Sequence, residues 1–431
     1  MKIAILSDFH FGFAAGTERE EDPYDAVREA VDRAMDCDLI ILGGDIFDNR
    51  NPNAEVLTKA MEILVNPLLK KSETKLVKGV GKDISKVSKM SLLGIPVVAI
   101  HGTHERRTKG LLNPVQALER AGFLIYLHCN SVVFEKNGEK VAVHGMSGVP
   151  DQYAESVLKN WNPKPIEGCF NIFILHQSIS EFLYAQYTMD LKNLPRGFDL
   201  YVDGHIHEAK KTAYDGKPFL LTGSLVPTQL REESTKPKGF WTFETSTSET
   251  RWNVIENQRK VYYKTFEDPD METIEKELAG ILKEKQNKKP IVRMNLKGKV
   301  RNTLMNEIEN KFGGNLLISF KKEVDEKGRL PTKTLEEHKL SVEEMGRKLL
   351  LENLEKSGLD IRTFENLFEL LVEGKLSEGM ETLMKASLTG KPKPAAKRIK
   401  TKPGKKISGA LKKPLKPPKQ TTLFGKRGKS N

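Results

Sequence analysis

Five short segments of this chain gather oxygen and nitrogen donors at spacings suited to metal ions: Asp8-Phe9-His10, Gly44-Asp45-Ile46-Phe47-Asp48, Gly102-Thr103-His104-Glu105, His176-Gln177 and Gly204-His205-Ile206-His207. Six of the nine histidines lie in or beside them: His10, His101, His104, His176, His205 and His207. A mixed set of carboxylates and imidazoles suits manganese, iron or zinc more than calcium. Two such cations roughly 3.5–4 Å apart can activate a water, neutralise phosphate oxygens and stabilise a leaving oxygen, the help that a phosphodiester needs for hydrolysis. One motif of this kind is common, and most histidines at strand ends are ordinary hydrogen-bonded residues, so the joint pattern carries the argument. His101 precedes the motif glycine and is expected to point away.

Each segment follows an apolar run that reads as a strand, at residues 3–6, 39–42, 97–100, 170–175 and 200–202. Residues 140–143, 219–221 and 240–243 read the same way. The carboxyl ends of strands in α/β sheets converge on one crevice, so five such ends can place all these side chains in one pocket. Tyr24, Val27, Ala30, Val31 and Ala34 recur at helical spacing and predict a helix over 23–35, with a second over 54–65. Residues 66–90, broken by Pro67, Gly79 and Gly81 and carrying seven Lys against Glu73 and Asp83, read as a basic, solvated loop or partly ordered insertion.

Beyond residue 256, helices over 271–285 and 301–310 and strands over 291–296 and 316–320 predict a small α+β unit. Residues 324–338 are linker-like. Ser341-Val342-Glu343-Glu344 is a capping-box signature, followed by two amphipathic stretches whose apolar stripes need a partner surface or the body of the protein.

Composition bounds the setting. Of 431 residues, 38% are hydrophobic and 30% charged, as in a soluble globular protein, and no run approaches the ~18 apolar residues of a membrane span. Cys37, Cys129 and Cys169 form no CxxC pair, and the N-terminus reads as no signal peptide, so a reducing cytoplasm is expected. The net charge of +12 is unevenly placed: residues 391–431 hold 15 Lys and Arg and no acid, leaving 55 basic against 58 acidic groups elsewhere. That Lys- and Pro-rich tail reads as an unfolded polycation with salt-dependent affinity for nucleic acid.

The order D-x-H, G-D-x-x-D, G-(N)-H-(D/E), H, G-H-x-H resembles the calcineurin-like metallophosphoesterase superfamily. Within it the chain is similar to the archaeal Mre-eleven double-strand-break nucleases, counterparts of bacterial SbcD. The similarity also rests on Leu175-His176-Gln177-Ser178-Ile179-Ser180-Glu181, on Pro195-Arg196-Gly197-Phe198-Asp199, on Thr222-Gly223-Ser224 and on residues 290–296. It implies an α/β metallophosphoesterase fold, a two-sheet β sandwich flanked by helices, over 1–256, then a DNA-binding capping domain over 268–324. A helical segment over 340–388 would dock a coiled-coil ABC-type ATPase of the Rad-fifty or SbcC type, ahead of a disordered tail over 391–431.

The same resemblance implies a manganese-dependent exonuclease and endonuclease that uses two divalent metal ions at DNA double-strand breaks, as a homodimer in the nucleoid-associated cytoplasm. One metal would fall to Asp8, His10 and His207, with Asp45 bridging, and the other to Asp45, His176 and His205. Thr103 stands where the family carries an asparagine ligand and is a weaker neutral donor. His104 takes the position of the histidine that stabilises the transition state or protonates the leaving oxygen. Asp48 replaces a histidine associated with handling the strand end. A phosphatase or cyclic-nucleotide phosphodiesterase of the same superfamily is the alternative, as is a DNA-end tether with weak catalysis. Near the C-terminus Gln420, Leu423 and Phe424 resemble the start of a sliding-clamp docking motif, although Lys426 and Arg427 occupy the place of its aromatic pair.

Overall fold

The longest apolar runs become the inner strands of two facing sheets. In the computed structural model, which describes residues 1–323 apart from 109, 184–187 and 299, the first sheet runs in the order Glu249–Val254, Gly239–Glu244, Lys2–Leu6, Leu39–Leu42, Val97–Ala99 and Ile125–Tyr126. The second runs Lys210–Tyr214, Lys217–Leu221, Leu200–Asp203, Phe170–Leu175, Glu139–Met146, Asn130–Lys136 and Lys75–Val80. The motif-bearing strands are parallel to their motif-bearing neighbours, so their carboxyl ends lie at one edge of each sheet.

These strands are apolar on both faces because both faces are covered. Ile3, Ile5, Ile41, Val98 and Ile100 point inward against Phe134, Val143, Ile172, Ile174 and Val202 of the second sheet. The alternate residues Ala4, Leu6, Ile40 and Leu42 meet Tyr24, Val27 and Val31 of the helix Asp22–Ala34 and Ile63 of the helix Ala54–Leu64. On the far side of the second sheet, Ala154 and Leu158 of the helix Asp151–Trp161 join the cluster around Phe173, Leu175 and Tyr201.

A smaller sheet follows, with Val261–Glu267, Ile291–Lys297 and Leu317–Glu323 all parallel and the helices Met271–Lys283 and Asn302–Phe312 as crossovers. Ile274, Leu278 and Ile308 pack on Val292, Met294 and Leu296. Its first strand has only Val261 and Phe266 buried, a pattern without a continuous apolar run, and the unit therefore begins at Val261, not at 268. All the described residues fall within one unit, Met1–Ser341.

One segment differs from its sequence reading. The basic stretch 66–90 is ordered: Asn66–Leu69 is a short helix, and Lys75–Val80 is an edge strand paired antiparallel with Asn130–Lys136. The strand exposes or half-exposes every residue, so it is held mainly by the backbone ladder, with Leu76 alone packed against the core between the sheets. The expected docking segment 340–388, the tail 391–431 and the clamp-docking candidates Gln420, Leu423 and Phe424 lie outside the described residues.

The interior between the sheets supports the parts above it. Ile41→Ala empties a fully buried site in that layer, and unfolding in denaturant should show a loss of roughly 2–5 kcal/mol with an unchanged slope.

Candidate metal centre

Each motif leaves its strand in a tight turn. Asp8, His10, Asp45 and His205 all adopt left-handed backbone, with φ of 53°, 51°, 46° and 66°. Such conformations cost side-chain-bearing residues about 1–3 kcal/mol each and persist only where the surroundings fix them. Here they are fixed by bonds between the turns: Asp8 N donates to Gly44 O at 3.0 Å, and His10 N to Asp45 O at 3.0 Å. The glycines allow the approach. A Cβ on Gly102 would lie 2.1 Å from Asp45 Oδ1, and one on Gly204 would lie 2.6 Å from His176 Nδ1.

The turns bring the predicted residues into two neighbouring groups, Asp8 with His10 and His207, and Asp45 with His176 and His205. Three turns rise from the first sheet and two from the second, so the site lies along the seam between sheets and not in the crevice of one. In the first group His207 Nε2 is 3.3 Å from Asp8 Oδ1 and 3.2 Å from His10 Nε2. In the second, His176 Nε2 is 3.2 Å from Asp45 Oδ2. Burial opposes ionisation of Asp45, yet the His176 charge beside it holds the carboxyl well below the usual range. Burial likewise works against the His176 cation, but Asp45 pushes it up to about 10. Burial and the His176 charge together push His205 down to about 4.

The donor set fits divalent cations on three observations. Both Asp8 carboxylate oxygens are buried without a hydrogen-bond partner, which is costly unless a cation faces them. His10 Nδ1 lies 3.0 Å from the Asp48 carboxylate and must donate to it, so in the neutral ring the Nε2 lone pair faces inward. His176 Nδ1 donates to Gly43 O at 2.8 Å and leaves Nε2 facing Asp45 in the same way.

Thr103 lies at the rim of the second group, where its hydroxyl is 3.3 Å from Asp45 Oδ2. His104 is 43% exposed, the most open imidazole of the site. Its Nδ1 donates to the Asp48 carbonyl at 2.7 Å, so Nε2 is the free edge, 4.0 Å from Asp45 Oδ2. His101 points away as expected, bonded to Tyr126 Oη at 2.7 Å and Gly148 O at 3.1 Å.

Four supporting residues had no assigned role in the sequence reading. Asp48 steers both His10 and His104. Thr228 meets His207 Nδ1 at 3.0 Å. Ser178 donates to Asp151 at 3.1 Å and so accepts from His205 Nε2 at 3.1 Å, leaving Nδ1 as the free donor atom of that ring. Glu105, fully buried, accepts from Phe47 N at 2.8 Å and Gly102 N at 2.7 Å; burial, then Asp45, raise it to about 8. Its adjacency to His104 in the third motif was the available signal. The site opens into a cleft of about 320 Å³ that Phe182, Pro227, Gln229, Arg231 and Lys238 help to line.

Residues 1–209 match the family model of the calcineurin-like phosphoesterases. Two relatives named DNA double-strand break repair protein Mre11 are similar: that of Methanopyrus kandleri is 27% identical over 53% of this chain and 49% of its own, and that of Saccharolobus solfataricus 30% over 54% and 56%. The Sulfolobus acidocaldarius protein of the same name is 24% identical over 72% of this chain and 79% of its own. The chain thus spans about half the length of the first two relatives.

The Asp45–His176 pair makes ion binding pH-dependent. With His176 raised to about 10, a proton occupies the ring at neutral pH and must leave when a cation takes Nε2. Titration calorimetry with Mn²⁺ in buffers of different ionisation enthalpy should show proton release at pH 7 and affinity rising towards pH 10; buffer-independent heats would contradict the pairing. Without an ion the same pair stabilises the fold. The His176 share is full below its ordinary value near 6.5 and lost as pH rises through about 10, while the Asp45 share is lost only in strong acid.

Proposed function

We propose, from the match of residues 1–209 to the calcineurin-like phosphoesterase model and the similarity of the chain to Mre11 proteins, that this protein hydrolyses phosphodiester bonds of DNA at double-strand ends. The observation that carries the reading is the pairing of two three-donor groups along one seam, with the free edge of His104 beside them. Two manganese ions, one per group with Asp45 shared, would neutralise the phosphate and supply the activated water.

The chain's own residues do the rest. Asp8 and Asp45 present carboxylate charge that the buried site keeps ionised against desolvation. Asp48, Gly43 and Thr228 fix the rings of His10, His176 and His207 in register. His104, anchored through Nδ1, directs Nε2 into the cleft, where its protonated form can hold a phosphate oxygen or give a proton to the leaving oxygen. Thr103 can add a weak neutral donor to the second group or hold a water there.

Support for a polymeric substrate comes from beyond the site. The small unit from Val261 lines a second cavity that shares Pro227, Ser234 and Lys238 with the metal cleft and suits a DNA-binding cap, and the basic tail suits retention of a polyanion. The remaining features of the reading are homodimerisation, a nucleoid-associated cytoplasmic setting, ATPase docking by residues 340–388 and sliding-clamp contact through Gln420, Leu423 and Phe424.

The decisive assay is cleavage of end-labelled duplex DNA with Mn²⁺, beside Asp8→Ala and His104→Ala. Asp8→Ala should abolish metal binding and cleavage together. His104→Ala should bind Mn²⁺ normally and cleave about 10²–10⁴-fold more slowly, the usual contribution of a general acid or transition-state donor. A parent protein that cleaves no DNA, alone or with its ATPase, yet hydrolyses a small phosphomonoester would replace the nuclease reading with a phosphatase.

A further inference from the structure

The helix Asp22–Ala34 presents two faces with different tasks. Tyr24, Val27, Ala30, Val31 and Ala34 are buried against the first sheet. Asp22, Asp25, Glu29 and Arg33, at spacings of three, four and four, share another face. Every member of this stripe grips a segment more than 220 residues away in sequence.

Asp22 receives Arg259 in a buried two-pronged pair, with Nε at 2.9 Å from Oδ2 and Nη2 at 3.0 Å from Oδ1. Asp25 holds Lys288 at 2.8 Å. The Glu29 carboxylate accepts the backbone amides of Glu256 and Asn257 at 2.8 and 2.7 Å, and Arg33 donates to Val254 O at 2.6 Å. Glu256, Asn257 and Arg259 lie on the connection between the sandwich and the small unit, Lys288 on the loop before the strand Ile291–Lys297, and Val254 at the end of the sandwich strand that leads into the connection. Arg259 binds that loop as well, donating to Lys289 O, and closes back on Glu18 O at 2.9 Å.

We propose that this polar face is the seat of the small unit and that Asp22, through Arg259, is a positioning residue for long substrates. The inference rests on the nuclease reading above. Its geometry is specific: the cavity beside the connection is walled by Tyr262 and Lys288 on one side and by Pro227, Ser234 and Lys238 on the other, and the last three also line the metal cleft. A displaced seat therefore moves the surface that continues the cleft, while the metal groups stay anchored by the turns described above. Arg259 is 8% exposed and Asp22 5%: Asp22→Asn removes the carboxylate charge that faces the buried guanidinium, and Arg259→Gln breaks the two-pronged pair while Arg19 at 3.4 Å and Lys288 at 3.7 Å still face Asp22, so either change loosens the connection.

The test compares Asp22→Asn, Arg259→Gln and Arg259→Lys with the parent, on duplex DNA and on bis(p-nitrophenyl) phosphate, a diester too small to reach the small unit. If the unit is seated for about a tenth of the time in the first two variants, KM for duplex rises about tenfold, while kcat and small-diester turnover stay within about twofold. Arg259→Lys should recover part of the loss. Hydrogen exchange of the Glu256, Asn257 and Ile291 amides should quicken in the same order.

Unchanged KM in a folded Asp22→Asn protein overturns the proposal. So does an equal fall of turnover on both substrates, which would place Asp22 with the ligand loop. Should Asp22→Asn fail to fold, Lys288→Met, which removes the Asp25 contact at 2.8 Å and the longer one to Asp22 at 3.7 Å but leaves the Arg259 pair in place, must raise KM for duplex, and an unaltered KM refutes the seat. If the parent cleaves the small diester but no DNA, the nuclease reading fails separately, and unchanged exchange in the variants then decides against the seat.

Discussion

Two carboxylates with no access to water set the terms for the rest of the molecule. Asp8 and Asp45 are buried at the seam of the sheets, where an isolated charge would be untenable, and Asp8 accepts no hydrogen bond at all. Only positive charge can compensate such groups. The imidazoles of His10, His176 and His207 supply it when protonated, and divalent cations can supply it when the rings are neutral. The left-handed turns, the glycines at their crossings and the polar residues behind each ring all serve to keep negative charge and nitrogen lone pairs converging on the same two points.

Acidic groups nearby show how environment separates roles. Glu105 is as buried as Asp45 and lies in the same cluster of turns, but its partners are two backbone amides and no imidazole, and it is raised to about 8. Asp203, with a single amide partner, is likewise held well above the ordinary carboxylate range by burial. Both therefore brace the turns while adding little charge to a crowded centre. Identical chemistry yields ionised ligand or near-neutral brace according to what faces it.

The legible parts of this protein were those with dense local signals. Apolar runs announce the inner strands because both faces of each are covered, and Asp8, His10, Asp45, His104, His176, His205 and His207 announce themselves because their residue types are rare together. The edge strand Lys75–Val80 was illegible for the opposite reason: it buries no full face, and only its ladder with Asn130–Lys136 makes it a strand. The strand Val261–Glu267 hides behind a similar half-exposed pattern. Ser178 and Thr228 act through one oxygen each, and Asp48 through one carboxylate and one carbonyl oxygen, which no periodicity reveals. The rule of strand ends in one crevice gathered the right residues, though the crevice is built by two sheets.

Remote pairing is the deeper limit on such a reading, and the helix Asp22–Ala34 illustrates why. Its carboxylates at 22, 25 and 29 are visible as spacing, but an acidic stripe is ordinarily a solvated face, and nothing local reveals Arg259, Lys288 or the amides at 256 and 257. At 1.5 Å per residue, Asp22 to Glu29 spans about 10 Å, long enough for a rigid helix to hold a connecting segment at several points. The helix also packs its apolar face on the sheet whose strand Lys2–Leu6 leads into the Asp8 turn. One element thus references both the ligand turns and the small unit to the same sheet. The separation between the chemistry and the surface beyond it is fixed by that helix, which makes substrate length, and not bond type, the property this junction can select.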